Sequence, residues 1–223
     1  MSLYLGNQKV TPTIYYKDNK KLTQVVDGSV TEITAEDLKD VTSIRDYAFH
    51  YCSKLTSITI PDSVTSIGKW AFYFCSGLTS VIISNSLTRI EEGVFDQCSH
   101  LISVTIPDSV TFIGDSAFGS CESLTSVTIP DAVTYIGSWA FSSDYRLKSI
   151  TIPDRVTSIG NYAFLNCSDL KVTMLSTIPP TIGSSTFDSS FSGTITVPAG
   201  TGDAYKAATN WSQYADKIQE AAA

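Results

Sequence analysis

Apolar residues recur along most of the chain at a spacing of 23. Leu55, Leu78, Leu101, Leu124, Leu147 and Leu170 keep it without exception. So do Ile44, Ile67, Ile90, Ile113, Ile136, Ile159 and Ile182, and likewise Phe49, Phe72, Phe95, Phe118, Phe141, Phe164 and Phe187. Several files of matched positions in one register mark a solenoid, in which each repeat is one coil.

The unit LTSITIPDSVTSIGKWAFYFCSG, Leu55 to Gly77, reads directly. Leu55, Ile58 and Ile60 place apolar side chains on one face of a short strand, and Ser57 and Thr59 point the other way. Pro61 ends the strand because it has no N–H for a ladder. Asp62 and Ser63 favour the turn by bonding nearby backbone. Val64 and Ile67 return to the core, and Gly68 permits a tight bend. Ala71 and Phe72 predict a short helical turn that drops a ring inward, and Cys75 closes the unit. One such coil cannot offset its own ordering entropy; stacking covers both faces of each apolar layer.

The pattern degrades at both ends. Residues 30–54 keep VTSIRDYAFHYC, but on the 23-residue spacing Glu32, Ala35 and Asp37 fall where Leu, Ile and Ile are due, as in a polar first coil that closes the stack. Residues 3–26 alternate like strands around a turn at Asp18-Asn19, predicting a β-hairpin cap. At the other end the seventh repeat replaces its Cys by Ser190 and its Ala by Thr186, and GTITVP is a last strand one residue out of phase. Tyr205, Ala208, Trp211, Tyr214 and Ile218 then have helical spacing, with Asp203 near the start. The expected organisation is a hairpin cap over 1–29, a solenoid of about seven repeats over 30–198, and a helical cap over 199–223.

The phrase L-x-x-I-T-I-P-D-S-V-T-x-I-G-x-x-A-F-x-x-C resembles the BspA-like, or treponemal-type, bacterial leucine-rich repeats. The likeness runs from about Val30 to Pro198, and the tail VPAG…AYKAA…W…YADKI also resembles the segment that commonly follows such repeats. Standard leucine-rich repeats carry Asn or Cys at the ninth position. Here it holds Ser63, Ser86, Ser109, Ala132 and Arg155, so there is no asparagine ladder. The resemblance implies an α/β solenoid: a right-handed leucine-rich repeat superhelix with short strands on the concave face and short helical or irregular turns on the convex face. It also implies an extracellular or cell-surface protein that adheres to host or matrix proteins. LYLGNQKVTPT faintly resembles openings of phage or virion-associated proteins, whose structural or receptor-binding segments are the alternative. The opening MSLYLGNQKV lacks the charged start and apolar run of a signal peptide, so a surface location implies a leader absent from this chain.

Composition narrows the functions. Net charge is −7 and only 17% of the 223 residues are charged. Without Lys/Arg clusters the chain is unsuited to nucleic acid or to an anionic membrane surface. No apolar run reaches the roughly 20 residues of a membrane span. Cys52, Cys75, Cys98, Cys121 and Cys167 share one register, with Asp144 in the sixth place. Such a ladder reads as small buried thiols, with disulfides or a metal as alternatives; zinc spacing is missing. His50 and His100 occupy unrelated repeat positions and read as surface residues. No nucleophile–base set can be assembled, and no enzyme or cofactor is expected. Asp62, Asp108, Asp131 and Asp154, with Asn85 between, form a second ladder suited to turn capping. Calcium, the alternative, needs more oxygens than the ladder supplies.

Outward strand positions Ser57/Thr59, Ser80/Ile82, Ser103/Thr105, Ser126/Thr128 and Ser149/Thr151 form a flat hydroxyl surface, either a plain strand surface or part of a recognition face. Aromatics at variable positions carry more information, because the repeat does not demand them. Trp70 and Trp139 share a register with Gly93 and Ser116; Phe112 and Tyr135 share one with Ser43, Ser66, Arg89 and Ser158. Exposed aromatics and Arg make interface hot spots. Phe112, Tyr135, Trp70, Trp139 and, at the edge of the strip, Arg89 are therefore the candidate contacts for a protein partner.

Overall fold

The computed structural model describes residues 30–222 throughout. Before them it describes the backbone of strands Tyr4–Leu5, Gln8–Lys9, Ile14–Lys17 and Lys21–Val25, with the side chain of Leu22. The chain winds into a parallel-strand solenoid of about eight turns. Each regular coil contributes two strands rather than one. The first file holds Glu32–Ile33, Ser57–Thr59, Ser80–Ile82, Ser103–Thr105, Ser126–Thr128, Ser149–Ile152, Lys171–Met174 and Thr194–Val197. The second holds Ser43–Ile44, Ser66–Ile67, Arg89–Ile90, Phe112–Ile113, Tyr135–Ile136, Ser158–Ile159 and Thr181–Ile182. Pairing is parallel and mostly in register by one repeat, as in Ser103↔Ser126 and Phe112↔Tyr135. The Ile67 file, expected only to turn inward, is thus the buried half of a second sheet.

The expected helical turn at Ala71-Phe72 is not helical. In the six coils from Phe49 to Phe164 the segment is a run of turns with two left-handed residues four apart, such as Trp70 (φ 58°) and Phe74 (φ 59°). Its amides at alternate positions bond the next coil: Trp70, Phe72 and Phe74 N–H donate to the Glu92, Val94 and Asp96 carbonyls at 2.9, 2.9 and 3.0 Å. Backbone groups that a helix would satisfy within the coil are satisfied between coils, which left-handed residues make possible. The α/β description is corrected accordingly. The fold is mostly strand, and its described α-helix is Gly202–Ala207 alone.

The core lies between the two sheets and the turn segments. The Phe file stacks as one column from Phe49 to Phe187, with centroids 4.7 to 5.7 Å apart. Gly68 has no left-handed φ; a Cβ there would lie 2.3 Å from the Asp46 amide nitrogen, so the residue permits close coil-to-coil approach.

The first coil is not degraded as expected. Glu32 pairs with Ser57 and Ile33 with Ile58, an offset of 25, and Val30, Ile33, Leu38 and Val41 are all buried. A turn two residues longer than the repeat, closed by Thr34 and Asp37, hides the match from a 23-residue spacing. At the far end the one-residue slip falls a coil earlier than GTITVP, because Ser149 already pairs with Lys171.

The hairpin Ile14–Lys17/Lys21–Val25 is antiparallel, and its second strand pairs in parallel with Ser43–Ile44, extending the second file. The turn expected at Asp18-Asn19 lies outside the described residues. The C-terminal segment is only partly helical. After Gly202–Ala207 and a 3-10 turn at Ser212–Tyr214, Ile218–Glu220 becomes a strand beside Thr194–Val197, which corrects the helical reading of Ile218. The cap answers the terminal carbonyls: Tyr205 Oη donates to Ser176, Trp211 Nε1 to Pro180 and Asn210 Nδ2 to Ile182. Glu220 accepts the Gly200 and Gly202 amides at the start of the short helix, and these bonds lower its carboxyl from the ordinary value.

Candidate partner-binding surface

Side chains of the second file that point away from the core run Ser43, Ser66, Arg89, Phe112, Tyr135, Ser158, Thr181. Parallel in-register pairing places each directly over the next at roughly 4.8 Å. Phe112 and Tyr135 therefore stack, with centroids 4.8 Å apart and planes 8° from parallel. Arg89 lays its guanidinium on the other face of Phe112, Cζ 3.7 Å from the centroid, and its Nε meets Glu91 Oε1 at 2.9 Å. The three form one column, half-buried at the rings and exposed at Arg89. Burial, with Asp115 nearby as the lesser cause, raises the Tyr135 hydroxyl above its ordinary pKa.

Trp70 and Trp139 stand elsewhere, on the turn ridge at left-handed positions (φ 58° and 62°). Trp139 is 41% exposed and stacks on Tyr162 at 4.4 Å. Trp70 is half-buried because its indole lies over Gly93; a Cβ there would fall 2.1 Å from the ring. The structure thus joins Arg89, Phe112 and Tyr135 and keeps the two Trp apart from them. Sequence reading passed over a cluster around Trp70: Tyr73, Tyr51, His50, Tyr47 and Phe74 follow ring against ring. Tyr47, Tyr51 and Phe74 are exposed. Aromatics in consecutive coils at two repeat positions, Tyr47 and Trp70 at one and Tyr51 and Phe74 at the other, were the available signal.

The hydroxyl positions of the first file alternate with buried ones as the sequence implies, but another Thr file is structural. Thr111, Thr134 and Thr157 each donate Oγ1–H to the carbonyl one coil earlier, at 3.2 Å. Asp62 caps the next coil rather than its own turn, its Oδ1 accepting the Asn85 amide at 2.8 Å. Among the described residues no group of three or more His, Cys, Asp or Glu is placed to hold a metal.

The cysteine file carries more chemistry than small size. All five thiols are buried. Those of Cys75, Cys98, Cys121 and Cys167 donate to the carbonyls of Phe49, Phe72, Phe95 and Phe141 in the preceding coil, at 3.0 to 3.3 Å. Burial raises these four thiols, Cys167 to about 12, so they are poor nucleophiles. At the sixth place Asp144 is fully buried. Its Oδ1 accepts the Cys121 amide at 2.9 Å, and its Oδ2 has no partner. Burial pushes this carboxyl well above the carboxylate range.

These observations define a class, the leucine-rich repeat solenoid, whose members are typically non-enzymatic interaction scaffolds. The model of the BspA type leucine rich repeat region matches residues 27–144 and 95–213, with six copies, and the chain belongs to that family. A leucine-rich repeat protein of T. pallidum has a similar fold, with TM-score 0.64 and 21% identity over 96% of this chain and 97% of the other. Another from Bacteroides ovatus gives TM-score 0.55 and 25% identity over 87% of this chain and 64% of the other. A search of curated proteins finds no match. No described helix is long and apolar enough to cross a membrane.

Proposed function

We propose that the chain is a noncatalytic scaffold through which a bacterial cell-surface or secreted protein adheres to a host or extracellular-matrix protein. The Arg89–Phe112–Tyr135 column is the centre of contact. Residues 30–198 form the displaying body, and 1–29 and 199–223 close its ends. One observation carries the reading. The column is a continuous planar surface, partly open to solvent, at positions where the repeat elsewhere accepts Ser. The fold does not need these rings, and rings with Arg are the groups that supply binding energy at interfaces. Trp139 and Trp70, on the separate ridge, add contacts for a partner large enough to reach both.

The test is an array of purified matrix and host-surface proteins probed with the parent chain and with the double variant Phe112→Ser, Tyr135→Ser. Loss of a ring hot spot is worth about 2 kcal/mol, roughly thirtyfold in affinity. The expected result is a partner bound by the parent and held at least that much more weakly by the variant, with unchanged melting. Equal affinity, or a variant melting well below the parent, would overturn the assignment.

A further inference from the structure

We infer that the open face of Tyr135 receives an arginine side chain of the protein partner, whose guanidinium becomes the fourth plane of the column. This rests on the reading that the column is the contact centre. The parallel register sets one position per coil, and beyond Tyr135 the next two are Ser158 and Thr181. Neither side chain has a plane to cover the ring, and the flanking Gly137 and Gly160 have no side chain at all. The spacing of the stack, 4.8 Å between Phe112 and Tyr135, leaves room above Ser158 for one more planar group.

The chain shows which group suits the slot, because it builds the same arrangement at the other end. There a guanidinium lies 3.7 Å from the Phe112 centroid and a carboxylate, Glu91, holds its edge at 2.9 Å. At the Tyr135 end the ring is present; the position that Glu91 holds beside Arg89 is Gly160 there, and the exposed Asp115, on the Phe112 coil, is the acid beside Tyr135. One Asp115 oxygen is fixed by the Ser138 amide at 2.8 Å. A guanidinium is planar, stacks on rings and sheds water more readily than an ammonium. A chain of net charge −7 attracts a cationic partner in any case.

Calorimetric titration of the full chain with acetyl-hexa-arginine amide and acetyl-hexa-lysine amide, at equal ionic strength, separates stacking from plain charge. The arginine peptide is expected to bind about three- to tenfold more tightly. Tyr135→Ser, which removes the ring, and Ser158→Arg, which fills the slot from within, should each abolish that preference without lowering the melting temperature. Equal binding of the two peptides, or a preference that survives both substitutions, overturns the inference. If the matrix partner is lost in the Phe112→Ser, Tyr135→Ser variant while the parent shows no arginine preference, this inference fails and the proposed function stands. An arginine preference with no matrix partner supports the slot and overturns the adhesion reading.

Discussion

Replacing Asp144 by Asn tests the interior of the stack through a single proton. In the cysteine file each Phe carbonyl normally takes the Cys amide of its own coil and the thiol of the next, as Phe72 does from Cys75 and Cys98. At Phe118 both donors are missing. The Cys121 amide has turned to Asp144 Oδ1, and the residue in the next thiol position is Asp144 itself. Among the described residues this leaves two buried groups unanswered, the Phe118 carbonyl and Asp144 Oδ2. Asp144 occupies the register position from which the thiols of the other coils donate to such a carbonyl, so a proton on Oδ2 would answer both.

The groups facing Asp144 are the Cys121 and Cys167 thiols and, further off, the Asp96 carboxyl, none of them a cation. Below the ordinary Asp value folded and unfolded chains both hold the proton. Above it the unfolded chain loses a proton that the folded chain keeps, so stability falls by about 1.4 kcal/mol per pH unit until the folded carboxyl also ionises. Asn has the same shape, accepts from Cys121 and donates to Phe118 without titrating. Asp96, raised to about 7 by burial, is common to both chains and largely cancels in the comparison. Urea titration at about pH 5 and about pH 7 should show the Asn variant gaining on the parent between the two, by at most about 1.4 kcal/mol per pH unit. A difference that does not change with pH, or an Asn variant less stable at both, would refute the reasoning.

Phe118→Ala, which opens the Phe column between neighbours 5.5 Å away on either side, should cost about 3–5 kcal/mol in denaturant titration; a loss under about 1 kcal/mol would contradict the central packing. Native protein treated with a thiol reagent should show little modification by mass until denaturant is added, and rapid native labelling of all five cysteines would exclude the thiol–carbonyl file. Gly93→Ala should destabilise by about 1 kcal/mol or more, since φ is +64° and the new methyl meets the Trp70 indole. In a Trp70→Ala background only the backbone part of that cost should remain, and an unchanged cost would remove the indole from the account.

The period, the inward Leu, Ile and Phe files and the stack of Phe112 on Tyr135 were legible because each depends only on register, which a 23-residue spacing fixes. What escaped depends on how coils meet. The Ile67 file looked like a turn because two residues of strand leave no alternation to detect. Ala71-Phe72 looked helical because helical turns and left-handed turns share short spacings, and only bonds between coils tell them apart. The first coil was misread because two extra turn residues shift its strand away from the expected positions. Ile218 kept a helical spacing that a neighbouring strand overrode. The thiol bonds of the cysteine file, and with them the meaning of Asp144, need the preceding coil's carbonyl and have no sequence signature beyond a small residue in register.

Hydrogen exchange of the full chain with and without a bound adhesion partner measures most directly whether the column is the contact surface. Protection is expected to concentrate at the second-file strands Arg89–Ile90, Phe112–Ile113 and Tyr135–Ile136 and the residues just after them, and to fade toward Ser43–Ile44. Protection confined to the hydroxyl face of the first file, or to the ring cluster around Tyr51, with the column unchanged, would contradict the account.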